Sequence, residues 1–182
     1  ADTMKHTLLE LGGKNAMVIY PDADLRSAAE GAVRGMNFTW CGQSCGSTSR
    51  LYVHRSIHDE FMQSVARELA QKHRPGIATH SDTTMGAMAS RAQYERALHY
   101  IQAGIEDGAT LFTGGSAARE AHLQAGLFVE PTIFTDVRPN MRIAREEIFG
   151  PVLSVFSWED EDQLFADVNA IELGLTASVW TT

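Results

Sequence analysis

No run of about 18 apolar residues occurs in this sequence, so it contains no candidate transmembrane helix. The first residues, ADTMKHTLLELGGK, lack the basic head and long apolar stretch of a secretory signal. There is no lysine- or arginine-rich patch, and the formal net charge is −8. Nucleic-acid binding, which rests on neutralising phosphates, is therefore not expected. Cysteine is nearly absent: Cys41 and Cys45 are the only two in 182 residues, too few for a disulfide scaffold. A reducing cytoplasm is the expected setting. Their spacing is not a usual zinc pattern and no further Cys/His pair completes one, so no metal is expected. Neither Gly12-Gly13 nor Gly114-Gly115 extends into a G-x-G-x-x-G phosphate loop. Repeats, low-complexity tracts and linkers are also missing, which implies one domain over residues 1–182. The chain has no initiator Met and begins and stops abruptly, so it is expected to be a piece of a longer polypeptide.

What is present alternates between two periodicities. Short apolar runs at Ala16–Tyr20, Arg50–His54, Ala109–Thr113, Val152–Trp158 and Ala177–Trp180 read as strands, and Phe128–Val137 reads as extended, interrupted by Pro131. Helical spacing appears between them. Asp24 is a good N-cap for a helix whose stripe is Leu25, Ala28, Ala29, Ala32, Val33 and Met36. A second helix covers about Asp59–Gln71, and a third starts at Ser90, where Ser90 and Gln93 match a capping box. A short helix at Asp160–Ala170 follows. Strands alternating with helices predict an α/β fold with a mainly parallel sheet and flanking helices.

Three short stretches have residue types that can do chemistry. Cys45 lies in Gly42-Gln43-Ser44-Cys45-Gly46, between a helix and a strand, which places it at a sheet edge. Glycines there expose backbone amides, and a thiolate beside them is a nucleophile. The alternative is a small, buried, inert cysteine. Glu10 sits among Leu8, Leu9 and Leu11; a poorly solvated carboxylate is a better base, whereas an exposed position beside a turn would be inert. Glu146-Glu147-Ile148-Phe149-Gly150-Pro151 puts two acids before an aromatic and a turn. Such a set can hold ribose hydroxyls and flank a planar ring, or simply end a helix. Trp40 either packs in the core or stacks on a cation.

In this order, ELGGK (10–14), GQSC (42–45) and EEIFGPV (146–152) resemble the aldehyde dehydrogenase superfamily across the whole chain. The resemblance implies that Cys45 attacks an aldehyde carbonyl, giving a thiohemiacetal and then a thioester. Glu10 would activate the hydrolytic water. Gly12, Glu147 and Phe149 would meet the nicotinamide end of NAD or NADP, and the Cys45 amide would form half of an oxyanion hole. Residues 1–182 would be the thiol-bearing catalytic domain, truncated at both ends and lacking the cofactor-binding domain, so it would not be expected to have full activity alone. The intact protein would be a homo-oligomer, dimer or tetramer, acting on a small aldehyde without membrane or nucleic acid. Trp40 near the aldehyde would hint at amino- or trimethylammonium-aldehydes. Two other classes stay open: a cofactor-independent thiol esterase using Cys45 and Glu10, and a non-catalytic module of the same fold.

Overall fold

A computed structural model of the chain describes residues 4–182. Six strands form one sheet in the order β3-β4-β5-β2-β1-β6. They are β1 (Ala16–Ile19), β2 (Arg50–His54), β3 (Thr110–Thr113), β4 (Thr132–Thr135), β5 (Val152–Trp158) and β6 (Ala177–Trp180). All neighbours pair in parallel except β3, which runs antiparallel to β4 at one edge. The expected α/β class with a mainly parallel sheet is what the chain adopts.

Five α-helices cover the sheet: α1 (Leu25–Gly35), α2 (His58–Lys72), α3 (Arg91–Glu106), α4 (Arg142–Arg145) and α5 (Glu161–Asn169). The strands alternate between two cores. Met17, Ile19, Leu51, Val53, Leu153 and Val155 face the buried stripes of α1 and α2. Ala16, Val18, Tyr52, Phe134, Val152 and Phe156 face residues of α3, α4 and α5. Helices on both faces explain why these strands read as unbroken apolar runs instead of alternating ones.

The caps follow local chemistry. The carboxylates of Asp24 and Asp160 accept the amides of Ser27 and Gln163, each at 2.7 Å, and start α1 and α5. The Ser90 hydroxyl accepts the Gln93 amide at 3.2 Å. The reciprocal half of the expected capping box does not form, because the Gln93 side chain points into another segment described below. The extended stretch predicted at 128–137 pairs as a strand only over Thr132–Thr135, since Pro131 has no amide to donate. The small α4, next to Pro139, has too few residues to show a helical period, and it was not foreseen.

Gly104 lets α3 lie close to the sheet: a Cβ there would stand 3.1 Å from Phe134 Cζ and Ile143 Cδ1. Phe134 is wholly buried at this contact. Phe134→Ala should therefore cost about 3–5 kcal/mol, while Leu111→Ala on the half-open edge strand should cost well under half of that. Urea unfolding of the two variants checks the ranking.

Candidate active site

Strands β1, β2 and β5 lie abreast, with Ala16 opposite Arg50 and Arg50 opposite Ser154. Because they are parallel, the three segments that precede them emerge at one end of the sheet. Those segments are Gly12–Asn15, Gly42–Ser49 and Glu146–Pro151. The sheet-edge position expected for Cys45 is found, but the edge is formed by the amino ends of the strands. The usual ligand crevice of an open parallel sheet lies at the carboxyl ends.

The segments are tied directly to each other. The Gly13 amide donates to Glu147 Oε1 at 2.9 Å. Asn15 Nδ2 donates to the carbonyls of Cys45 and Ser47, at 2.6 and 3.0 Å. Asn15 Oδ1 accepts the Thr176 amide at 2.8 Å, which brings in the segment before β6. Gly42 has φ +65°, and a Cβ on it would strike the Gly150 carbonyl. A Cβ on Gly12 would strike the Glu147 carboxylate, and one on Gly13 would stand 2.6 Å from the Cys45 carbonyl oxygen. The glycines of all three motifs are thus places where backbone meets backbone or carboxylate.

The two thiols are separated by the turn that carries them. Two residues past α1, Asn37 has a left-handed φ of 57°, and after one 3₁₀ turn (Phe38–Trp40) Cys41 is left-handed as well. This reversal buries Cys41, and its thiol donates to the Gly86 carbonyl at 3.0 Å. Burial pushes the Cys41 thiol up to about 11. Cys45 is only half-buried, and neither cysteine is in a disulfide. Among the described residues the amides of Ser44 and Cys45 donate to no protein group. A half-open thiol thus lies beside free amides.

The acids are also sorted. Glu146 is engaged: Tyr100 Oη donates to it at 2.5 Å, and Arg142 Nε at 3.1 Å. The hydrogen bonds from Arg142 and Tyr100 hold its carboxyl below the usual carboxylate range. Glu147 is half-buried with only the Gly13 amide on its carboxylate, so it keeps lone pairs free to accept further hydrogen bonds. Phe149 has φ 56° and a partly exposed ring. Glu147, Phe149 and Gly12 thus bring a carboxylate, an aromatic edge and partly exposed backbone together, residue types that can hold a ribose and a planar ring.

Several positioning residues were invisible to sequence reading. Gln93 Nε2 donates to the Ile148 and Phe149 carbonyls at 2.9 and 2.7 Å, and Arg96 Nη2 donates to the Glu147 carbonyl at 2.6 Å. α3 therefore clamps the 147–149 turn from behind. The only signal was Gln93 itself, read as a cap. Asn15, two residues after Gly13 and just before β1, gave only the weak signal of an amide side chain at the start of an apolar run. Lys14 is the third case. It is buried with no hydrogen-bond partner for Nζ, and desolvation, aided by the Arg50 charge, pulls its pKa down to about 7 against Glu147 and Glu146.

Exposure decides between the readings left open for two residues. Glu10 is exposed, and so are Leu8, Leu9 and Leu11, so the leucines do not desolvate it. Among the described residues it makes no hydrogen bond with Cys45. Apolar neighbours in sequence desolvate a carboxylate only when other structure covers them, and nothing among residues 4–182 covers these. Trp40 is 64% exposed, so core packing does not account for it. Among the described residues no three of His, Cys, Asp and Glu gather as a metal site, and no helix is long and apolar enough to cross a membrane.

Residues 1–182 match the aldehyde dehydrogenase family throughout. The chain belongs to the aldehyde dehydrogenase family. It is 51% identical to aldehyde dehydrogenase tropH of Talaromyces stipitatus, over 98% of this chain and 35% of that protein. It is 44% identical to a betaine aldehyde dehydrogenase of Brucella anthropi, over 98% of this chain and 36% of that protein. Among solved structures, an NAD-dependent aldehyde dehydrogenase from Sinorhizobium meliloti superposes with a TM-score of 0.88 at 43% identity, covering 95% of this chain and 33% of its own. The NAD+ complex of a Bacillus cereus aldehyde dehydrogenase gives 0.89 at 40% identity, covering 98% and 35%. The chain thus spans about a third of the length of the relatives it matches.

Two measurements follow from these environments. Iodoacetamide should label Cys45 in the native chain near neutral pH and leave Cys41 unlabelled until the chain unfolds, as peptide mapping would show. Lys14 has a folded pKa near 7 against 10.5 unfolded, so the native state holds fewer protons across that window and gains stability as pH rises through it. Below pH 7 the penalty is full and constant. Lys14→Met should therefore exceed wild type in stability by most below pH 7. The difference, read from urea midpoints, should shrink toward pH 10.5.

Proposed function

We propose that this chain is the thiol-bearing catalytic part of an NAD(P)-dependent aldehyde dehydrogenase, converting an aldehyde to a carboxylic acid. The observation that carries the reading is the junction of the three segments, with Asn15 holding the Cys45 loop and Gly13 holding Glu147. On this reading Cys45 Sγ attacks the aldehyde carbon. The free Cys45 amide receives the developing oxyanion, and a preorganised donor of this kind lowers the barrier because it needs no rearrangement. Glu147 holds the nicotinamide ribose, Phe149 flanks the ring, and Gly12 forms the floor. When bound, NAD(P)+ would be held by these residues and would supply the two-electron, hydride-accepting oxidant that turning the thiohemiacetal on Cys45 into a thioester requires. Glu10 takes a proton from water, which attacks the thioester and releases the acid and the free thiol.

Glu10 lies in a segment open to solvent here, so this role needs polypeptide from outside residues 1–182 to pack over it. The cofactor-binding domain is assigned to that same missing part. Relatives solved with NAD+ favour NAD+ over NADP+. The exposed ring of Trp40 and relatives named betaine aldehyde dehydrogenase favour a cationic aldehyde. The reading includes a cytoplasmic, homo-oligomeric full-length protein.

The test uses the polypeptide extended to the length of its relatives. Cys45→Ser should abolish aldehyde-dependent NAD+ reduction. Glu10→Gln should keep a first-turnover burst and slow the steady state roughly 10²–10⁴-fold, the usual worth of a general base. Steady-state turnover surviving in Cys45→Ser would sink the proposal.

A further inference from the structure

Thr176 stands in the segment before β6, outside the three motifs, yet its side chain reaches the Cys45 loop. Thr176 Oγ1 donates to the Gly46 carbonyl at 3.4 Å, across 130 positions of sequence. Among the described residues no other group donates to that carbonyl. A trans peptide is planar and points its carbonyl and its amide in opposite directions, so the Gly46 carbonyl carries the Ser47 amide on its far side. The Ser47 amide donates to the Ser44 carbonyl at 3.1 Å. The Ser44 carbonyl in turn shares its peptide unit with the Cys45 amide, which has no protein acceptor among the described residues. One chain of hydrogen bonds thus runs from the Thr176 hydroxyl through two peptide units to the free Cys45 amide.

Asn15 fixes the head of this chain. Its Oδ1 accepts the Thr176 amide at 2.8 Å, and its Nδ2 donates to the Cys45 and Ser47 carbonyls at 2.6 and 3.0 Å. Asn15 is only 3% exposed, so Thr176 is anchored through its backbone to the same buried side chain that holds the Cys45 carbonyl. The neighbouring peptide units are pinned as well: the Gly46 amide donates to Ser44 Oγ at 3.3 Å and the Thr48 amide to the Gly35 carbonyl at 2.9 Å. Hydrogen bonds in such a chain polarise one another, and a carbonyl that accepts makes the amide of its own peptide unit a stronger donor. We propose that Thr176 is a positioning residue for the Cys45 amide, its hydroxyl orienting and polarising that donor toward the oxyanion formed when Cys45 attacks a carbonyl carbon. The role rests on Cys45 being the nucleophile proposed above. It draws a fourth segment, the one before β6, into the making of a preorganised oxyanion donor.

Two reagents separate the aim of the amide from access to the thiol in the 182-residue chain, and neither needs a cofactor. With p-nitrophenyl acetate, Cys45 Sγ adds to the ester carbon and the carbonyl electron pair moves onto oxygen. Collapse of that oxyanion expels p-nitrophenolate and leaves an acetyl thioester on Cys45. With iodoacetamide, Sγ displaces iodide from a saturated carbon and no oxyanion forms. Both reactions use the same thiolate, so at one pH its fraction cancels in the ratio of the two rates. Thr176→Val removes the hydroxyl and keeps both the shape and the backbone amide bonded to Asn15. It should slow the p-nitrophenolate burst roughly two- to ten-fold, the worth of one hydrogen bond, and leave the alkylation of Cys45 unchanged. Thr176→Ser, which keeps the hydroxyl, should recover the burst. Equal bursts in Thr176→Val and wild type, a parallel fall in both rates, no recovery in Thr176→Ser, or a wild-type chain alkylated but not acylated at Cys45 would each overturn the role of Thr176 and leave Cys45 as the nucleophile. An undiminished burst in Cys45→Ser would overturn both.

Discussion

The parallel register of β1, β2 and β5 is the constraint on which the rest of this molecule depends. With Ala16, Arg50 and Ser154 side by side, the chain must enter all three strands from the same end. Segments more than a hundred residues apart therefore meet there, and the Gly13–Glu147 hydrogen bond spans 134 positions. A slip of one residue would turn each strand's apolar set from one core to the other, so the two packed faces pin the register and through it the junction. The site inherits its geometry from ordinary core packing.

Within the junction, residues of one type have been given different tasks by what surrounds them. Cys41 is drawn into the core by a left-handed turn and donates to a carbonyl, while Cys45, four positions on, stays half-open beside unused amides. Glu146 is held by Arg142 and Tyr100, while Glu147 reaches across to the Gly12-Gly13 turn. Gln93 and Arg96 hold the backbone that joins these two acids to Phe149, so the clamp serves the carboxylate without touching it. The buried Lys14 and Arg50 lie behind the same junction, Arg50 held by three carbonyls and the Tyr52 hydroxyl and Lys14 without a hydrogen-bond partner.

Much of the architecture could be read from periodicity. The continuous apolar runs at β1, β2 and β5 predicted buried strands, and α1 buries Ala28, Ala29, Ala32 and Val33 of its expected stripe. Where the reading failed, a competing partner or missing cover was responsible. Gln93 matched a capping box but bonds two carbonyls of a distant turn. Glu10 has leucine neighbours, yet a carboxylate is desolvated by what packs over it, and its neighbours are themselves exposed. Trp40 was weighed as core and lies open, because the turn from Asn37 to Cys41 points it outward.

The order and residue types of ELGGK, GQSC and EEIFGP were enough, from sequence alone, to indicate the family, the candidate nucleophile and the candidate cofactor contacts. Glycine at closely approached positions and a thiol among small residues are chemical requirements that local sequence records directly. Which of two thiols is free, which of two glutamates is engaged and which end of the sheet carries the site were decided only by tertiary structure. Those properties depend on burial and on partners far away in the chain, and neither a charge nor a hydrogen bond at such a distance leaves a mark in local sequence.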